Sequence, residues 1–291
     1  MKKRLLLITG LLFCLSLMCA CTVVNNYLPA EIQTIRLHGE MKTVTIPLSY
    51  DEKEGLSLTV NMRFKDGGNN PFVISAPQKD SAADITPNTQ NAAAQNPVAV
   101  ISYPADLDNY GFYAEASGNT LKIGTSTKYQ FDTDDFRAAI TACVTSYTVK
   151  GSITLNADAG GPFYSNADGT SDRKDLSLHV TGAMECSIAN LCAKDVSIKV
   201  DGAADISLYG EAQTLSGLIN GATDLNCDDL KVKDANVQIN GAGLAALYVT
   251  DTLDAEVNGT GSIVYRGNPT VHKKINGLGT VNKSNDTDDD D

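Results

Sequence analysis

The chain has 291 residues, enough to bury a sizeable core. It carries 35 acidic against 23 basic side chains, a net charge of −12, which repels phosphate backbones and argues against a nucleic-acid partner or electrostatic docking on anionic lipid. The absence of Trp and the abundance of Gly, Asn, Asp, Val and Ile suit an all-β chain of short strands and tight turns.

Residues 1–20 read as an address. Lys2, Lys3 and Arg4 form a positive start, and residues 5–18 are apolar. That run is shorter than the ~20 residues of a permanent spanning helix and fits a secretory signal. It ends Met18-Cys19-Ala20-Cys21. A small residue before a cysteine resembles a bacterial lipobox, whose cysteine thiol is lipidated and becomes the new N-terminus. Cys21 follows Ala20 and fits better than Cys19, which follows Met18; a plain secretory signal is the alternative. Removing residues 1–20 leaves 20 basic against 35 acidic residues, a net of −15. Membrane contact is then expected through a lipid on Cys21, because no later segment is apolar enough to span a bilayer.

Residues 21–30 read as a tether, residues 31–130 as a β-rich N-terminal portion, 131–283 as a β-helix, and 284–291 as a solvated acidic tail. Apolar residues alternate at Val44, Ile46 and Leu48, and again from Leu56 to Phe64, around a polar turn, which predicts a hairpin over 43–64. Residues 77–97 have almost no apolar side chains and read as a flexible surface loop. Strands are expected at 98–102, 111–115 and 120–124, and a short helix at 134–143.

From about residue 149 the chain is periodic. A glycine after a small polar residue recurs at Gly182, Gly202, Gly221, Gly241, Gly259 and Gly277, with spacings of 20, 19, 20, 18 and 18. Lys150-Gly151 reads as an earlier copy, followed by an insertion near 158–174. Two residues before each glycine stand Val180, Val200, Ile219, Ile239, Val257 and Ile275. Four after it stand Cys186, Ile206, Leu225, Ala245, Ile263 and Val281; six after it, Ile188, Leu208, Cys227, Leu247 and Tyr265. Each set predicts a ladder pointing into one core, in a solenoid of ~18–20 residues per coil. Asn-Gly and Asp-Gly are expected to supply positive φ at its corners.

The copies Val-Thr-Gly-Ala-Met-Glu at 180, Val-Asp-Gly-Ala-Ala-Asp at 200, Ile-Asn-Gly-Ala-Thr-Asp at 219 and Val-Asn-Gly-Thr-Gly-Ser at 257 resemble the Gly-Ser-Gly-Asp repeats of the auto-transporter adhesin head domains called GIN. The closing Tyr265-Arg266-Gly267-Asn268-Pro269 and Gly277-Leu278-Gly279 look like that family's terminal signature. Ala or Thr replaces the family's usual Ser in every copy, and the insertions at 77–97 and 158–174 depart from it. The resemblance implies a right-handed, single-stranded parallel β-helix with a β-rich N-terminal portion.

Three residues after successive glycines stand Glu185, Asp205 and Asp224. Stacked carboxylates repel, and a cation such as Ca²⁺ would relieve them; turning into solvent or capping local turns would do so without one. Otherwise no cofactor is expected. Cys143, Cys186, Cys192 and Cys227 permit two disulfides or buried free thiols, with no CxxC spacing for zinc or thiol redox work. His38, His179 and His272 lie far apart, and neither HExxH nor Gly-x-Ser-x-Gly occurs. Tyr103, Tyr110, Tyr113 and Tyr129 are either a recognition patch or ordinary strand residues. The function expected is therefore a non-catalytic envelope lipoprotein presenting a face to a glycan, host-matrix component or another envelope protein. A polysaccharide lyase or hydrolase on the same fold, and a periplasmic structural or stress-signalling role, are the alternatives.

Overall fold

The computed structural model describes residues 32–49, 55–65, 71–75, 97–126, 128–142, 144–158 and 173–284. The expectations for Cys21, the tether, Cys143, nearly all of the 77–97 loop and of the 158–174 insertion, and the acidic tail after Ser284 lie outside these residues.

In chain order the strands are β1 (Gln33–Arg36), β2 (Met41–Pro47), β3 (Leu56–Asn61), β4 (Pro71–Ser75), β5 (Val98–Pro104), β6 (Tyr113–Ser117), β7 (Thr120–Gly124), β8 (Tyr129–Asp132), β9 (Arg137–Thr141), β10 (Val144–Val149), β11 (Ser152–Asp158) and β12 (Leu176–Val180). Four long strands follow, β13 (Ala183–Val200), β14 (Ala203–Ile219), β15 (Ala222–Ile239) and β16 (Ala242–Val257), then β17 (Ser262–Arg266), β18 (Thr270–Ile275) and β19 (Thr280–Lys283). A 3₁₀ turn, Ala105–Tyr110, links β5 to β6.

The chain is a parallel β-solenoid. Each long strand is bent around one coil and serves three arms, as the interrupted pairing registers near residues 188–191 and 207–210 show. The bends carry left-handed backbone at Asn190 (φ 55) and Gly210 (φ 133). The first arm stacks β9, β4, β11, the starts of β13 to β16, then β17 and β19, all parallel. The third arm stacks β7, β3, β10, β12, the ends of β13 to β16, and β18, again all parallel. A short second arm lies between them, at 191–193, 210–212 and 230–232.

The apolar ladders form the core. Val180, Val200, Ile219, Ile239 and Val257 stack in register and are buried, as are Cys186, Ile206, Leu225, Ala245 and Ile263. Removing each such Val, Leu or Ile side chain from water contributes about 1.5–3 kcal/mol. No coil closes its core alone, so the contribution exists only in the stack.

The corner glycines have a different role from the one expected. None of the repeat glycines is among the positive-φ residues. What they need is room: a Cβ on Gly182, Gly202, Gly221, Gly241, Gly259 or Gly277 would strike the carbonyl oxygen of the corner glycine one coil below. That oxygen is aimed at the next coil, where it accepts the amide of Ala183, Ala203 or Ala222 at 2.7 to 3.1 Å.

Two further expectations are corrected. The alternating stretch 43–64 is not a hairpin: β2 pairs antiparallel with β5, while β3 lies parallel between β7 and β10. Alternation reports which face is buried and says nothing of the partner. Residues 134–143 hold strand β9 rather than a helix; Ala138 and Ile140 point into the core while β4 and β5 take its two edges.

The antiparallel strands β2, β5 and β6 close the first end of the stack. Phe131 and Phe136 are fully buried there, with Phe64 5.3 Å from Phe136 between ring centres. β1 joins the cap by pairing with β8.

Candidate binding surface

Because like positions stack, each outward position becomes a column. On the third arm one column runs Ser57, Ser146, Ser177, Ser197, Ser216, Asn236, Asp254 and His272. His272 Nδ1 lies 2.9 Å from Asp254. Beside it, Lys274 donates to Glu256 at 2.7 Å and holds that carboxyl below its ordinary range.

The acidic residues are in register as expected: Glu185 pairs with Asp205, and Asp205 with Asp224. Burial, then the neighbouring Asp224 and Glu185 charges, push the Asp205 carboxyl above its ordinary value. Below them Thr154 Oγ1 donates to Glu185 at 3.3 Å; above them Leu244 interrupts the column. Among the described residues no three His, Cys, Asp or Glu side chains converge as metal ligands.

The corner carries a feature that sequence reasoning missed. Asn220 donates to Asp201 at 2.6 Å, Asn240 to Asn220 at 2.7 Å, Asn258 to Asn240 at 2.8 Å and Asn276 to Asn258 at 2.6 Å. An amide has both a donor and an acceptor, so asparagine can chain from coil to coil without end. Asp201 terminates the chain: Asn220, Lys199 at 3.0 Å and His179 at 3.4 Å hold its carboxyl at about 2. The signal was the recurrence of Asn before the last four corner glycines, Gly221, Gly241, Gly259 and Gly277, which turn chemistry alone had seemed to explain.

Residues 93–269 match the family described as "Putative auto-transporter adhesin, head GIN domain". The chain belongs to that family. The fold is also that of a solved putative adhesin from Bacteroides fragilis NCTC 9343, at 16% identity over 86% of this chain and all of the other, with a TM-score of 0.66. A solved putative lipid binding protein from Parabacteroides distasonis ATCC 8503 is similar at 17% identity over 87% of this chain and all of the other, with a TM-score of 0.56. No curated protein matches the chain.

Within the GIN domain, Arg266 and Gly267 of the terminal signature lock the last coils. Arg266 lies 3.7 Å over the Tyr248 ring and donates to the Asp228 carbonyl (2.7 and 2.9 Å) and carboxylate (3.0 Å). Gly267 has φ 90, and a Cβ there would strike Val249 O.

The tyrosines do not form a patch. Tyr103 is 2% exposed and stacks on Phe112 at 4.1 Å, while Tyr110 packs edge-on against Tyr129 and Phe131. Only Tyr113 of the four is exposed. They build the cap. Cys186, Cys192 and Cys227 are free, buried thiols, and burial pushes all three up from the ordinary thiol range. A thiol held protonated is a poor nucleophile, so these act as small core residues. His179 and His272 stand on the third arm, coils apart, each beside an aspartate.

Proposed function

We propose that this GIN-domain protein is a non-catalytic, lipid-anchored envelope protein whose solenoid presents its outward columns to a ligand. The observation that carries the reading is the third-arm column from Ser57 to His272, short polar side chains in register along one unbroken parallel sheet. Such a face repeats every ~4.8 Å and is already ordered, so a repetitive ligand would bind it with little loss of side-chain freedom. Membership of a family named for adhesins supports the same reading. The acidic balance favours a neutral or basic ligand, a glycan, host-matrix component or another envelope protein, over polyanions. The anchor is the lipid expected on Cys21.

The test is protease shaving of intact cells, comparing wild type with Cys21→Ala. Digestion of wild type on intact cells, with the variant released, is expected. Full protection until the envelope is broken would overturn surface presentation, and an unchanged variant would overturn the anchor. A screen with neutral and anionic polysaccharides is expected to give binding without release of reducing or unsaturated ends; such release would establish an enzyme instead.

A further inference from the structure

The outward face of the first arm carries an apolar patch in the body of the solenoid. Leu244 is 42% exposed. Ala242 is exposed on one side of it, and Ala246 and Val264 are half-buried on the other. Beneath Leu244, in the same column, stand Asp224, Asp205 and Glu185, one to a coil and all exposed. The columns beside these carboxylates are short, alanines on one side and Ser187, Ser207 and Asn226 on the other. Other carboxylates of the solenoid have a cation: Asp195 has Lys194, Asp201 has Lys199, Glu211 has Arg173, Asp228 has Arg266 and Glu256 has Lys274. Among the described residues Glu185 accepts the Thr154 hydroxyl, and no cation lies against Glu185, Asp205 or Asp224. Like charges in register oppose folding, whereas Ser or Asn in their place would not. A column that breaks this rule without compensation inside the fold, next to exposed apolar surface, points to a partner outside it.

We propose that this face docks a basic amphipathic helix of a partner protein, laid along the rod with an apolar side chain on the Leu244 patch and three cationic side chains over Asp224, Asp205 and Glu185. Charge complementarity selects the cations. Spacing selects the helix. The column repeats every ~4.8 Å, so its second, third and fourth rungs lie ~4.8, ~9.6 and ~14.4 Å from the first. Helix positions i, i+3, i+7 and i+10 share one face, and at ~1.5 Å per residue the last three lie ~4.5, ~10.5 and ~15 Å from the first, within about an ångström of every rung. An extended segment shows side chains on one face only every ~6.7 Å and is out of step by the second rung. The short flanking columns let a helix settle over the carboxylates. An anionic membrane or a polyanion is repelled by the same column. This docking rests on the reading that the outward columns bind a ligand, and it is independent of the anchor. Its failure would leave the third-arm column and the shaving result standing.

The probe is a fluorescein-labelled helical peptide of about 14 residues, Ala and Gln with Lys at i, i+3 and i+7 and Leu at i+10. It is added to the purified full chain at low salt and read by fluorescence anisotropy. Asp205→Asn with Asp224→Asn is expected to weaken binding about three- to tenfold, the range for two exposed ion pairs. Leu244→Ser should weaken it about fivefold through lost apolar contact. Asp234→Asn with Asp251→Asn, which removes two charges off the first arm, should change it by less than about twofold, because distant exposed charges are screened. The Asp205, Asp224 variant should unfold at higher urea than wild type, so its weaker binding is not a loss of fold. Equal affinity of that variant and wild type would overturn the proposal, as would equal weakening by the Asp234, Asp251 pair. Equal affinity for a peptide with the same residues scattered round the helix would overturn it too. So would calorimetric binding of Ca²⁺ alone that is lost in the Asp205, Asp224 variant and excludes the peptide, which would make the column a cation site.

Discussion

Gly221→Ala tests the reason given for the corner glycines. A Cβ at 221 would stand 1.8 Å from Gly202 O, where real Cβ contacts are essentially never under 3.0 Å. The two coils must part at that corner by about an ångström, since packed backbone has no slack to absorb the difference. Three hydrogen bonds span the gap: Ala222 N to Gly202 O at 3.1 Å, Asn220 N to Val200 O at 2.8 Å, and the rung from Asn220 to Asp201. At about 0.5–1.5 kcal/mol each, stretching them costs about 2–4 kcal/mol in all. The alanine recovers about 0.4–1 kcal/mol by restricting the unfolded chain. The net expectation is a loss of about 2–3 kcal/mol. Gly217→Ala is the internal control. It is buried in the same coil, yet its Cβ would meet the Val237 methyls at 3.5 Å, an ordinary contact, so it should be neutral or stabilise slightly. Urea unfolding of the two variants beside wild type, at one pH and salt concentration, measures both. If Gly221→Ala costs no more than Gly217→Ala, close approach is not why glycine stands at the corner.

Asn240→Ala removes a middle rung, losing the bond to Asn220 and the one from Asn258, and should cost about 1–2 kcal/mol in urea unfolding; Asn276→Ala, which loses one rung, should cost about half as much. Equal costs would mean the ladder adds nothing to stability. Asp201 titrates near 2 in the fold against 3.8 ordinarily, so its ionised form stabilises the fold at neutral pH and that contribution is lost as pH falls from about 4 towards 2. The stability advantage of wild type over Asp201→Asn should therefore close across that window in an acid titration. Asp205 is shifted the other way, so its charge opposes folding once ionised. Asp205→Asn should be the more stable protein at pH 7, with the difference vanishing in acid where the carboxyl is protonated in both states; a less stable variant at pH 7 would refute repulsion along the acidic column.

The coil and its core were legible because both are one-dimensional. A fixed spacing names the repeat, and apolar residues at constant offsets from the glycine name the inward columns, down to Cys186 and Cys227 as core residues. What failed depends on contacts that spacing does not encode. The glycine pattern located the corners but suggested positive φ, because the approach of one carbonyl to the next coil is not written in any single copy. The helix expected at 134–143 failed because only β4 and β5 on its two sides decide that Ala138 and Ile140 alternate inward. The tyrosines were ambiguous for the same reason, since burial of Tyr103 is settled by Phe112 and the cap around it. The acidic residues were placed in one column correctly. The asparagine ladder was visible as recurring letters, but its meaning needed the vertical direction of the stack.

The threading of β3 has a mechanical consequence. From β13 onward each coil rests on the one before it, so a pull applied at β19 can strip coils in order, each rupture needing only one interface to fail. At the other end β3 is held between β7 and β10, which come from far along the chain. A pull transmitted towards Cys21 meets strands that are loaded together and cannot be unzipped singly. If that side carries the tether, the rod is hardest to unravel where it is fixed and softest at the β19 tip of the stack. Tension from a captured partner would then be relieved by shedding coils at the tip before the anchored end gives way.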